Sequence, residues 1–540
     1  MKTRPWTPRP AAAGLFDRLP AALPEPGSPG APALLTERPA GPAPEHLRYF
    51  TTEALAELRD PLECARDPHD AEEALRLFVG RAEAGPAPLG SRTAELTTWA
   101  GAARVRRATP ADLRTAPAAP KLVKSIFDFY FRDDLYGHWA DQDPIMLSSG
   151  SYDETVFGLP ESLKNCVRFA LDRNWYGYSD SLGRTSAREA LAALETARSG
   201  GLVPIGPERV AVTLGGTAAL ASIVDLLAGD RPGDDRAALC AVPNYPPLVA
   251  ALARKMAVEF VDTPVAQQAE RGSGHTDIGA LVERARAGAR LILLQTVTNP
   301  SGLRVPEEQL AELIAAAPAD CMIILDECHD AFGPGVPLTP ARLASNVISF
   351  RSISKRWGAP GLKAGWLVAA PEFIDEFYVH ASTTYGGPPS LFYLLLEMLG
   401  LFEAARLEGS LDSADLVGRL SVDYQLSRSA LEAGFADYLT AADLMSAQVT
   451  RCRELVVDAL TRMGVPVVVP EYSINLLARI GDEPSYRTYR RLVSEIGVSV
   501  YPGLLCLAGG PGLVRLSPCL PEPVLEDAMG RLAGWTERNL

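Results

Sequence analysis

No uninterrupted apolar run in this chain of 540 residues is long enough to span a bilayer. The N-terminus also lacks a signal-peptide core, because Leu15-Phe16 is soon followed by charge and proline. Both absences lead to the expectation of a cytoplasmic protein with no membrane partner. Positive charge is scarce: 52 Lys and Arg stand against 66 Asp and Glu, a formal net charge of −14. General nucleic-acid binding needs a cationic surface to replace counterions, so no nucleic-acid partner is expected, although a local basic pocket for a phosphate is compatible with this balance. The eight cysteines contain no C-x-x-C pair, and the closest two, Cys321 and Cys328, flank a predicted buried strand. They read as reduced core thiols rather than a disulfide framework. The six histidines show no metal-ligand spacing, so no metal site is expected.

What the chain does contain is an ordinary soluble balance, with 47% hydrophobic and 22% charged residues, over a length that allows two or three domains. Residues 1–45 hold eleven prolines among alanines and glycines. Such a segment cannot bury enough surface to offset its ordering entropy and reads as a flexible arm. Residues 46–120 turn helical, with apolar residues recurring at three and four, as in Ala71-Glu72-Glu73-Ala74-Leu75-Arg76-Leu77-Phe78. From Arg209 onward, apolar strands alternate with helices, which predicts an α/β fold with a mostly parallel, doubly wound sheet and ligands at the strand C-termini.

One stretch organises the rest. Ser352-Ile353-Ser354-Lys355 follows the apolar run Val347-Ile348-Ser349-Phe350, and Gly358-Ala359-Pro360-Gly361-Leu362-Lys363 leads to a second run, Trp366-Leu367-Val368-Ala369. The pattern predicts a strand, a tight glycine-rich turn and a return strand, with Lys355 at the strand end. A desolvated lysine there can form a Schiff base with an aldehyde, while the flanking hydroxyls hold an anion. Taken alone, Lys355 reads as a solvated turn lysine. The spacing of hydroxyls, lysine, glycines and second cation favours the site.

This segment resembles the cofactor-lysine segment of the class I/II aminotransferases, the fold-type I pyridoxal phosphate (PLP) enzymes. Further segments follow in the family's order. Trp175-Tyr176-Gly177-Tyr178-Ser179-Asp180-Ser181-Leu182-Gly183 is similar to a segment whose tyrosine, here Tyr178, reaches the phosphate of a neighbouring subunit. Gly215-Gly216-Thr217-Ala218 opens a helix after a strand, and Gly216, Thr217 and Ala218 form a cradle for an anion, which the helix dipole favours. Tyr245 takes the place of the aromatic residue that stacks on the pyridine ring, although a turn tyrosine can also serve packing alone. In Asn299-Pro300-Ser301-Gly302, the resemblance makes Asn299 a donor to the cofactor's phenolate oxygen. Asp326, ending the strand Met322-Ile323-Ile324-Leu325, would pair with the protonated pyridine nitrogen. Ser352, Ser354 and Lys363 would hold the phosphate. Gly150 would lie near the substrate carboxylate, and Arg515 in Val514-Arg515-Leu516-Ser517 would bind that carboxylate with a bidentate pair.

The resemblance covers roughly residues 145–370 and 450–535. It implies a fold-type I PLP-transferase, with a seven-stranded-type sheet in a large domain and a smaller α+β domain. The expected organisation is 121–185 for the N-terminal part of the small domain with active-site segments, 186–375 for the large domain, 376–449 for linking helices with an insertion, and 450–540 for the C-terminal small domain. Two positions depart from the family: Lys363 stands where an arginine is usual, and His329 where a tyrosine is usual. An imidazole can replace the tyrosine's hydrogen bond or act as a further acid or base. The expected activity is amino transfer on an α-amino acid, with Lys355 removing the α-proton, in a homodimer or higher homo-oligomer. The alternatives are elimination, γ-replacement or ring closure on S-adenosylmethionine or a similar amino acid, and a PLP-binding regulator.

Overall fold

The computed structural model describes residues 61, 64, 71–83 and 118–539, apart from 154–156, 203, 229–235, 265–273, 412–417, 419 and 421. The arm at 1–45 and most of the 46–120 extension lie outside the described residues. Of the extension, helix Ala71–Glu83 packs Phe78 edge-on to Tyr486 with ring centroids 5.3 Å apart.

The strands are β1 (Ile145–Met146), β2 (Val210–Thr213), β3 (Ala238–Val242), β4 (Val258–Asp262), β5 (Leu291–Gln295), β6 (Met322–Asp326), β7 (Val347–Ser352), β8 (Gly365–Val368), β9 (Val467–Val468), β10 (Leu476–Arg479), β11 (Val498–Ser499), β12 (Tyr501–Pro502) and β13 (Leu513–Leu516). Seven of them form the large sheet, in the order β2-β8-β7-β6-β5-β3-β4. Strands β7, β6, β5, β3 and β4 pair in parallel, and β8 runs antiparallel to both β7 and β2. This is the mostly parallel seven-stranded sheet that the resemblance implies. Every residue of β3 and β5 is buried, as expected for central parallel strands covered by helices on both faces.

The second sheet, β12-β13-β10-β9, is antiparallel, and β1 pairs in parallel with β11. Its register sets Tyr501 directly opposite Arg515. Helix Ala118–Phe129 continues as a π-helical segment, Tyr130–His138, and lays its aromatic residues against this sheet. Between β8 and β9 the chain runs through helices Pro371–Thr384, Tyr393–Glu408 and the 35-residue Arg428–Arg462.

One local expectation is corrected. Lys355 does not end a strand that turns directly into its return: β7 ends at Ser352, and Ile353–Arg356 form one helical turn. The Ser352 side chain caps that turn by accepting from the Ser354 N–H at 3.2 Å.

Candidate active site

The C-terminal ends of β5, β6 and β7 and the start of the helix after β2 converge on a cavity of about 240 Å³. The helical turn after β7 directs Lys355 into it, where Nζ donates to the Gly150 carbonyl at 2.6 Å. The Tyr152 hydroxyl holds the Lys355 carbonyl from behind. Burial, followed by the Arg515 cation, pulls the Lys355 ammonium down to about 8. A sizeable neutral fraction is therefore present near physiological pH, as a Schiff-base nucleophile requires.

One end of the cavity consists almost entirely of donors. Helix Gly215–Leu227 starts after Leu214, which provides no side-chain cap, so its first N–H groups are left for a ligand. Gly216 is required for space, since a Cβ there would fall 2.6 Å from Cys328 Sγ. Ser352 and Ser354 share a 2.7 Å hydroxyl contact, and with Thr217 and Lys363 they complete this wall. Ala218 lies outside the lining.

At the base of the cavity, the Asp326 carboxylate accepts from Gln295 Nε2 at 2.9 Å and from the Cys328 N–H at 2.9 Å. Burial nevertheless pushes its acid above the ordinary carboxylate range, against the pull of those bonds and of Lys355. No arginine or lysine pairs with it among the described residues, so the carboxylate lacks a bound cation. Asn299 Oδ1 receives Asn475 Nδ2 at 3.2 Å and Arg515 Nη1 at 3.4 Å, which leaves the Asn299 amide nitrogen as its remaining donor. His329 also lines the cavity, with Nδ1 2.7 Å from Ser473 Oγ. Burial, then Lys355 and Arg515, holds its imidazole well below the usual histidine value and therefore neutral.

Arg515 forms the opposite wall. Its guanidinium stacks on the Tyr501 ring at 3.9 Å, a consequence of the β12–β13 register, and Nη2 donates to the Ser148 carbonyl at 3.0 Å. Gly150, at φ +61, lets the backbone pass close by, since a Cβ there would meet Nη2 at 2.7 Å. Phe127, Phe131, Tyr245, Leu248, Phe350 and Tyr501 are among the apolar residues of the lining.

The geometry fits PLP group by group. The donor wall suits a phosphate, the unpaired Asp326 a protonated ring nitrogen, the Tyr245 ring a flat apolar face, and Lys355 an aldehyde. Of the residues singled out from the sequence, the cavity gathers Gly150, Gly216, Thr217, Tyr245, Asn299, Asp326, His329, Ser352, Ser354, Lys355, Lys363 and Arg515. Tyr178 is not among them: its side chain is fully exposed, away from its own chain's cavity. Sequence reasoning missed Gln295, Ser473 and Asn475, read Cys328 only as a core thiol, and gave no role to Phe127 and Phe131. An apolar helical stripe ending in Phe127 and Phe131 was the available signal for the latter two.

Residues 142–532 match the family described as aminotransferase class I and II. The valine–pyruvate aminotransferase of Mycobacterium tuberculosis is 26% identical over 403 residues, which span 73% of this chain and 91% of that protein. The aromatic amino acid aminotransferase of Mycobacterium marinum is 29% identical over 236 residues, 42% of this chain and 61% of its own length. Among solved structures, an aminotransferase from Mycobacterium tuberculosis aligns at 23% identity with a TM-score of 0.59, covering 76% of this chain and 97% of its own. An aromatic aminotransferase from Pyrococcus horikoshii aligns at 21% identity with a TM-score of 0.58, covering 74% and 98%. At these identities the structural likeness establishes the fold.

Proposed function

The chain belongs to the class I and II aminotransferases and is a PLP-dependent transferase, and from that premise we propose that it moves the amino group of a monocarboxylic α-amino acid with an apolar or aromatic side chain. The observation that carries this reading is the charge inventory of the cavity. Its cations are Lys355, Lys363 and Arg515. Assigning Lys355 to the cofactor aldehyde, Lys363 to the phosphate and Arg515 to the substrate α-carboxylate leaves no cation among the described lining residues for a second carboxylate. The remaining wall, with Phe127, Phe131, Leu248 and Tyr501, offers apolar surface instead.

When bound, PLP supplies an electron sink for the charge left at Cα after proton loss. The residues of the chain do the rest. Arg515, its plane set by the Tyr501 ring, holds the α-carboxylate and orients Cα. Lys355 removes the α-proton through Nζ, which its lowered basicity leaves partly neutral. Asp326 keeps the proton on the ring nitrogen, and Asn299 and His329 donate to the phenolic oxygen. Gly216, Thr217, Ser352, Ser354 and Lys363 anchor the phosphate, and Tyr178, exposed on its own chain, reaches the phosphate of a second copy in a homodimer.

The test is a panel of amino acids incubated with the holoenzyme and a series of keto-acid acceptors. Phenylalanine, leucine or valine should give the matching keto acid only when an acceptor is present, and aspartate or glutamate should react at least tenfold more slowly. Preferred turnover of a dicarboxylic amino acid would overturn the substrate class. Release of a β or γ substituent without any need for an acceptor would overturn amino transfer.

A further inference from the structure

Phe332 and Ser473 are 141 positions apart in the numbering, yet they share two features. Both have left-handed backbones without being glycine, at φ +63 and +66. Both carbonyls also accept from one guanidinium: Arg453 Nη2 reaches Phe332 O at 3.2 Å, and Nη1 reaches Ser473 O at 3.1 Å. Arg453 is buried and pairs with no carboxylate among the described residues. Left-handed conformations of this kind persist only where the surroundings over-determine them, and they cluster at functional sites. Here the surroundings include a third bond, from Ser473 N to Ala331 O at 2.7 Å, which bolts the segment before β10 onto the loop after β6.

This arrangement delivers the Ser473 hydroxyl to His329 Nδ1. The charged groups that face the ring are Lys355 and Arg515, both cations, and no carboxylate among the described residues bonds to it. The ring is thus neutral, with one N–H to place. We propose that Ser473 is a positioning residue whose hydroxyl donates to Nδ1, fixing His329 as the Nε2–H tautomer with its donor turned toward the cofactor's phenolic oxygen, and that Arg453 holds Ser473 in the backbone conformation this requires. The inference rests on the cofactor placement given above. The opposite tautomer would set the Nε2 lone pair against an oxygen that carries negative charge, which is unfavourable. Two residues along, Asn475 orients Asn299 by the same logic, with its Oδ1 held by Ser517 Oγ at 2.7 Å and its Nδ2 bonded to Asn299 Oδ1. One segment of the smaller domain therefore aims both donors.

The test uses the holoenzyme labelled with ring-nitrogen-15 histidine, together with the Ser473→Gly variant. Glycine adopts this backbone conformation without strain, so the variant loses the hydroxyl and keeps the fold. In the native enzyme His329 should show a protonated Nε2 and an unprotonated Nδ1, and the variant should mix the two tautomers. A second readout is the pH midpoint of the absorbance change of the cofactor on Lys355. Loss of an oriented donor leaves the phenolic oxygen more basic, so the variant's midpoint should rise by about half a unit or more, a several-fold gain in proton affinity. A native Nδ1–H tautomer, a native imidazolium, or an unchanged midpoint in the variant would overturn the proposal. Borohydride fixation of the cofactor on a lysine other than Lys355 would instead sink the site assignment, and the nitrogen shifts would still decide the tautomer.

Discussion

Removing the amine of Lys355 should stabilise the cofactor-free protein while abolishing its function. In the folded chain, burial and then Arg515 bring this ammonium from 10.5 to about 8. At about 1.36 kcal/mol per unit, keeping the lysine protonated costs the fold about 3 kcal/mol at neutral pH. The folded value lies below the unfolded one, so the native state releases its proton first. Between about pH 8 and 10.5 the unfolded chain binds more protons and stability grows with pH; below about 8 the full cost is present. Lys355→Met keeps most of the stem and removes the charge. Urea unfolding of the two cofactor-free proteins should find the variant more stable by about 3 kcal/mol at pH 7, with the gap closing by about pH 10.5. Taking the difference cancels the buried tyrosines and cysteines, which both proteins share. A variant no more stable than wild type at pH 7, or a gap that persists at high pH, would refute the reasoning. In the holoenzyme the order reverses, because cofactor bound to the native state adds stability that the variant loses with its Schiff base.

Gly150→Ala should act on the substrate rather than the cofactor. The new Cβ would stand 2.7 Å from Arg515 Nη2 at a backbone angle that costs a non-glycine residue about 1–2 kcal/mol. Displacing a charge-assisted pair of roughly 1.5–3 kcal/mol should raise KM for the amino acid about tenfold or more, with cofactor content retained in the absorbance spectrum. An unchanged KM would show that the carboxylate is bound elsewhere. Gly216→Ala should do the converse: its Cβ would meet Cys328 Sγ at 2.6 Å and shift the turn that receives the phosphate. Equilibrium dialysis should then show PLP affinity falling about tenfold, equivalent to about 1.4 kcal/mol, and undiminished affinity would rule out that helix start as the anion cradle.

Lys355, Asn299 and Asp326 were legible because each lies in a short local pattern that strand alternation carries to one edge of the large sheet, and Arg515 because its own short pattern falls on β13 of the second sheet. The residues that aim them were not. Ser473 lies 144 residues from His329, and Asn475 176 residues from Asn299, and no local pattern marks either as a partner. The turn at Lys355 was misread for a different reason. Two glycines and a proline at 358–361 pointed to a hairpin-like turn, but the serine at 352, a favoured N-cap, signals the helical turn that the structure has. Tyr178 carries a different lesson: its side chain is exposed and lines no part of its own chain's cavity, so the role expected of it depends on a second copy.

Asp326 and Glu327 show how a sheet edge divides two adjacent carboxylates. Successive side chains at a strand end point to opposite faces, so only one of the pair can enter the cavity. Glu327 turns away and bonds to Arg342 and Arg351. Around it Arg198 meets Asp330 at 2.6 Å, Arg304 meets Asp330 and Glu307 at 2.8 Å each, and Arg351 meets Glu195 at 3.0 Å. Four arginines thereby balance four carboxylates within the chain, and a buried charge compensated in this way needs no ligand. Asp326 receives only neutral donors, and its burial favours the protonated acid in the cofactor-free chain. A cation arriving on the cavity side reverses that preference, because an opposite charge at contact stabilises the carboxylate that burial disfavours. The proposed pairing of Asp326 with a protonated ring nitrogen thus rests on an imbalance between neighbours: the far face of the sheet is neutralised from within, and the near face is left to be neutralised by what binds.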